Sequence, residues 1–93
     1  ARNDYDRAIS DYSEAIQLDP GNIHAYSNRG GAYYVKRDYR RAIADFSEAI
    51  RLDPNDASAY TARGNAYNAT GEIDHADADF NQAKRLAVQP QRQ

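Results

Sequence analysis

Along most of this chain apolar and aromatic residues return at steps of three and four, with polar residues between them, the period of a helix that buries one face. Between Asp4 and Leu18 the series is Tyr5, Ala8, Ile9, Tyr12, Ala15 and Ile16. Asp4 is placed to cap that helix. Asp19-Pro20-Gly21 ends it, because the residue ahead of a proline is pushed out of helical geometry. A second helix is expected from Ile23 to Lys36, capped by Asn22, with Tyr26, Arg29, Gly30 and Tyr33 on one face. The third, from Tyr39 to Leu52, buries Tyr39, Ala42, Ile43, Phe46, Ala49 and Ile50 and stops at Asp53-Pro54. The fourth and fifth run from Ala57 to Thr70 and from Ile73 to Ala87, joined through Gly71, which is free to take the left-handed backbone that closes a helix. Arg37 stands at the equivalent turn between the second and third helices, and Asn3 at the one before. Arginine disfavours that geometry by roughly 1 kcal/mol, so Arg37 is expected to be strained.

The pattern repeats. Tyr26, Arg29, Gly30, Tyr33, Ala42, Phe46 and Ala49 reappear 34 residues later as Tyr60, Arg63, Gly64, Tyr67, Ala76, Phe80 and Ala83. Residues 1–22 match the second half of that unit, 23–56 form one complete copy, and 57–90 form another. The spacing aromatic-x-x-Arg-Gly-x-x-Tyr, then Ala-x-x-x-aromatic, then Pro, resembles the tetratricopeptide repeat family. Tyr26 and Tyr60 stand where that family often has Trp, and Arg29 and Arg63 where it often has Leu. The resemblance implies a single all-α domain of five helices in two and a half repeats, stacked as a short right-handed α-solenoid of antiparallel helix pairs.

In the last helix Ile43 and Ile50 of the preceding copy become Asp77 and Lys84, and the closing Asp-Pro becomes Ala87-Val88. A charged stripe where the other copies are apolar is expected to be a polar capping face that ends the array. The opposite end begins with half a repeat, so the face of Tyr5, Ala8, Tyr12 and Ala15 is expected to be open and to favour self-association. The tail from Gln89 to Gln93 is expected to fray.

Composition narrows the functions. A formal net charge of -2 with 28% charged residues offers no basic stripe for nucleic acid. Apolar runs fall far short of the ~20 residues of a membrane helix, and the expectation is a soluble chain, with the cytoplasm as default compartment and nothing that fixes it. The absence of cysteine rules out disulfides and thiolate metal sites. His24 and His75 lie in different repeats without ligand spacing and read as surface residues near helix starts. Phosphate loops and nucleophile elbows are absent as well, so neither an enzyme nor a cofactor is expected.

Arg29 and Arg63 recur at the repeat period, as do Asp11, Asp45 and Asp79, and a guanidinium on an apolar stripe needs a partner. Each arginine is expected to pair with one of these aspartates, and replacing Arg63 by Met is expected to cost less than removing its partner. Of the eight tyrosines, all but Tyr34 on these five faces read as core; Tyr34 is left as a contact candidate. Gly30 and Ala42 read as the points where the helix backbones come closest.

The resemblance further implies a concave groove that holds an extended or helical peptide. Its lining would be His24, Ser27, Asn28, Gly31, Tyr34 and Val35, then Ser58, Thr61, Ala62, Asn65, Asn68 and Ala69. Such a groove is polar and nearly uncharged, and its asparagine amides suit main-chain recognition. One branch of the family clamps the terminal carboxylate of heat-shock chaperones. Asn28 matches one asparagine of that clamp, but Ser58 and Ala62 stand where its lysine and arginine would be, which speaks against chaperone tails. The function expected is a protein-interaction scaffold binding a peptide or partner surface; the alternative is a purely structural segment that stacks on or terminates a longer array.

Overall fold

The computed structural model describes residues 2–88. They form α1 (Arg2–Leu18), α2 (Ile23–Val35), α3 (Tyr39–Leu52), α4 (Ala57–Ala69) and α5 (Ile73–Val88), with no strand among the described residues. The tail expected to fray, Gln89 to Gln93, lies outside them.

Two kinds of turn join the helices, and each is used twice. At Asp19 and Asp53 the side-chain carboxylate accepts from the amide two residues on, Gly21 or Asn55, both at 3.1 Å. The backbone then closes from Asn22 to Asp19 O at 3.0 Å and from Asp56 to Asp53 O at 3.2 Å. The closing residue caps the next helix: Asn22 accepts from the Ala25 amide at 3.1 Å and Asp56 from the Ser58 amide at 3.0 Å. Within each hairpin the turn is the left-handed helix stop. The amides of Asp38 and Glu72 reach back to Tyr33 O and Tyr67 O, both at 2.9 Å. The residue that turns left is Arg37, φ 67°, in the first hairpin and Gly71, φ 84°, in the second. The strain expected at Arg37 is present.

Asp4, expected as a cap, instead lies inside the first turn of α1, which begins at Arg2. Asn3, expected at a turn, is helical too. A carboxylate in the first turn still complements the positive end of the helix dipole.

The helices pack as α2 on α3 and α4 on α5, with α1 against α2, α3 against α4, and the first helices of the two hairpins, α2 and α4, touching. Helices α1, α3 and α5 do not meet one another among the described residues. With extents of 40 × 35 × 19 Å, the result is a slab about two helices deep, an all-α helical repeat solenoid.

Alanine fills the interior. Ala25, Ala32, Ala42, Ala49, Ala59, Ala66, Ala76 and Ala83 are all buried, with Phe46 the large apolar residue among them. Small side chains let the helices approach. The glycines, however, admit a ring rather than a backbone: a Cβ added to Gly30 would stand 2.7 Å from Phe46 Cε1, and one on Gly64 would stand 2.7 Å from Phe80 Cε1. Gly30 is thus the seat for Phe46, not a point of backbone contact.

Candidate functional site

A charged clamp recurs in each complete repeat and fixes the helices on which the candidate face lies. Arg29 on α2 donates through Nε and Nη2 to Oδ2 and Oδ1 of Asp45 on α3, at 2.8 and 2.7 Å, a two-bond fork between planar groups. Its third nitrogen, Nη1, donates to Ser13 Oγ on α1 at 3.0 Å, and that hydroxyl donates onward to Ile9 O at 2.7 Å. Arg63 on α4 repeats the arrangement, with 2.8 Å to both oxygens of Asp79 on α5 and 3.1 Å to Ser47 Oγ on α3. The periodic arginines therefore pair with two of the periodic aspartates, as expected, each within its own repeat, and also reach back to the repeat before. The two serines were not anticipated, although Ser13 and Ser47 carry the same 34-residue period.

Aromatic rings enclose each guanidinium. The Arg29 carbon lies 6.0 and 5.9 Å from the ring centres of Tyr26 and Tyr33, and that of Arg63 lies 5.8 and 5.7 Å from Tyr60 and Tyr67. These tyrosines are half-buried walls of the clamp rather than full core residues. The hydrogen bonds that the guanidinium groups donate to Asp45 and Asp79 raise the arginine pKa above its ordinary value, opposed by burial. A raised cationic pKa leaves its stabilisation complete below the ordinary value, and that stabilisation is lost as pH rises from there through the raised one. The arginines themselves thus add no pH dependence across neutral and mildly alkaline conditions.

With α2 and α4 held this way, the residues expected to line a groove are all at least partly exposed. His24, Asn28, Tyr34 and Val35 on α2, and Ser58, Thr61, Asn65, Asn68 and Ala69 on α4, are exposed; Ser27, Gly31 and Ala62 are half-buried. A Cβ on Gly31 would meet nothing within 4 Å, so that point of the face is open. Tyr34 is only partly available, its ring set edge-on against Tyr39 at 5.4 Å. Ala62 packs beside the buried cluster of Ala42, Phe46 and Ala66, and so belongs in part to the seam between repeats. Ser58, Thr61, Ala62 and Asn65 also border a shallow hollow with Phe80, Ala83 and Lys84 of α5.

His24 and His75 are exposed near helix starts, and the His75 ring lies 5.0 Å from that of Tyr67. Among the described residues there is no group of three or more His, Asp or Glu side chains able to hold a metal ion, and no helix long and apolar enough to cross a membrane.

Comparison with known proteins agrees with this geometry. The second repeat domain of Spaghetti (RPAP3), solved with the HSP90 peptide SRMEEVD, is 34% identical, with a TM-score of 0.85 over 88% of this chain and 76% of that one. The second such domain of human RPAP3, solved with the HSP70 peptide SGPTIEEVD, is 32% identical, with a TM-score of 0.87 over 94% and 72%. The TPR2B domain of yeast Sti1, in complex with an Hsp70 ligand, is 33% identical, with a TM-score of 0.85 over 92% and 70%. No curated protein sequence matches significantly. The family described as TPR repeat matches residues 1–37 and 32–71, and that described as tetratricopeptide repeat matches 57–87. With those matches running from one end of the helical array to the other, the chain belongs to the tetratricopeptide repeat family.

Proposed function

We propose that this chain is a protein-interaction module that holds a peptide segment along the exposed faces of α2 and α4. The observation that carries this is the pairing of a rigid frame with an uncommitted polar face. The clamps and the buried alanines use one side of each helix, while Asn28, Asn65 and Asn68 stand exposed on the other. Solved relatives hold short peptides, which supports the same use here. Each amide can donate and accept, so a ligand's main chain is the natural counterpart.

Recognition by main chain rather than by terminal charge has a direct test. Titrating the protein with SRMEEVD and with its C-terminal amide should give affinities within about threefold of each other, a difference of roughly 0.6 kcal/mol. A tenfold preference for the free carboxylate would restore a carboxylate clamp despite Ser58 and Ala62. Amide-shift changes should fall on the twelve expected residues and fade when Asn28, Asn65 and Asn68 are changed to Ala.

A second reading, that residues 1–22, 23–56 and 57–90 form a purely structural segment that stacks on or terminates a longer array, draws support from the exposed positions of Asp77 and Lys84 where Ile43 packs against its neighbour. In that case no peptide from a display library should move the α2 and α4 faces.

A further inference from the structure

The turn between α2 and α3 gathers four cations, Lys36, Arg37, Arg40 and Arg41, around Asp38 and Tyr39. The frame does not require them. In the second hairpin the same positions hold Thr70, Gly71, Asp74 and His75, and that turn closes with the same backbone bond, from Glu72 to Tyr67 O as from Asp38 to Tyr33 O. At Arg37 the frame opposes the residue, since its φ of 67° lies in the region that Gly71 enters freely at 84°. Strain that a sister turn avoids is retained where the side chain has a use. All four cations are exposed, yet they divide into two kinds. Lys36 is held by an ion pair to Asp6 on α1, and Arg41 by one to Asp38 at 2.7 Å, with its guanidinium carbon 5.9 Å from the ring centre of Tyr33. The guanidinium groups of Arg37 and Arg40 make no ion pair or hydrogen bond among the described residues. Two anchored cations thus flank two uncommitted ones.

We propose that the α2–α3 turn is a binding site for an acidic protein segment, one with at least two Asp or Glu side chains close together, whose carboxylates pair with Arg37 and Arg40. The small size of the patch selects that partner over an extended polyanion. Exposed Asp6 borders it on α1, and the matching turn of the neighbouring hairpin carries exposed Glu72 and Asp74. An anionic membrane or a nucleic-acid backbone would set its charge against these as well, on a chain whose net charge is already -2. A short acidic segment meets the cations alone. This site lies at the turn, and the proposal does not rest on the α2 and α4 reading.

The probe is hexaglutamate blocked at both ends, titrated into the full chain at ~20 mM salt. It should shift the amides of residues 36–41 saturably, and raising the salt to ~150 mM should weaken binding at least fivefold. Arg37→Gly and Arg40→Asp should each weaken it at least threefold, and the double variant at least tenfold. Neither variant threatens the fold, because Gly71 and Asp74 fill those places in the second hairpin, so both should melt no lower than the parent. Unchanged affinity in the double variant would overturn the proposal. So would absence of saturation at ~10 mM, or shifts of equal affinity at Lys84 and Arg85, which would mark a general attraction to cations. Tighter binding to phosphatidylserine vesicles or to a single-stranded oligonucleotide than to hexaglutamate would overturn the choice of partner.

Discussion

Within each clamp the two charges are unequally deep. Asp45 and Asp79 are each 4% exposed, whereas the side chains of Arg29 and Arg63 keep 21%. Removing the arginine strands a carboxylate with no route to water; removing the aspartate leaves a guanidinium that can turn its exposed edge outward. Arg63→Met should therefore cost about 3–5 kcal/mol, and Asp79→Asn less, about 1–3 kcal/mol, in urea unfolding. Equal losses would contradict this. The order is the reverse of the sequence expectation, because periodicity shows that two charges pair but not which lies deeper. The serines were missed for a related reason: a neutral hydroxyl creates no conflict with an apolar stripe, so nothing in the pattern demanded an explanation. At the seat of Phe46, truncation to Ala should cost ~3–5 kcal/mol. Gly30→Ala should also destabilise, by ~1–3 kcal/mol, although alanine is favoured in an isolated helix, since the new methyl meets a ring that cannot yield. The double variant should lose less than the sum, because without the ring the methyl has room. Strict additivity in the melts would mean that the ring and the glycine do not meet.

Helix by helix, the chain is legible where it is punctuated. The Asp-Pro turns and the cap at Asn22 placed α2, α3 and α4 within a residue, since each is a local bond between neighbours in sequence; the Asp56 cap of α4 was not singled out there. Asp4 misled because the same residue type serves as a cap or as a first-turn acid, and only the backbone before it decides which. The tyrosines misled because a helical stripe shows which side is covered without showing whether the covering is alanine or guanidinium. Arg37 is the element-scale test. Its φ of 67° is costly for any side chain, so Arg37→Gly should stabilise by up to ~1 kcal/mol, and Gly71→Arg should destabilise by a similar amount. Thermal melts of the two variants moving the same way would refute the account.

Across the whole molecule, stability should grade from the middle outward. Among the described residues, helices α2, α3 and α4 each have more than one neighbour, while α1 packs on α2 and α5 on α4. Hydrogen exchange should accordingly be slowest in the central three and fastest in α1 and α5; a uniform profile would mean that the array opens only as one unit. Asp77→Ile with Lys84→Ile should turn the outer stripe of α5 into a stacking face and give concentration-dependent light scattering, each isoleucine offering ~1.5–3 kcal/mol of burial. No added scattering would mean that this stripe is not a terminal face. The groove, unlike the frame, was legible only through family likeness, because exposed polar residues carry no periodic signature of what they bind. One further consequence lies in the reach of Arg29, which holds Asp45 ahead of it and Ser13 behind it at once. The duplicated segment and the mechanical unit are therefore out of phase. A chimera spliced at an Asp-Pro turn would carry each arginine intact with its own aspartate but set it against whatever the upstream donor has in place of Ser13. Shuffled arrays of this kind should tolerate serine there and stiffen least where a residue like Asn81 takes its place. Compatibility between neighbours would then be decided by one hydroxyl on the unit upstream, not by the unit being grafted.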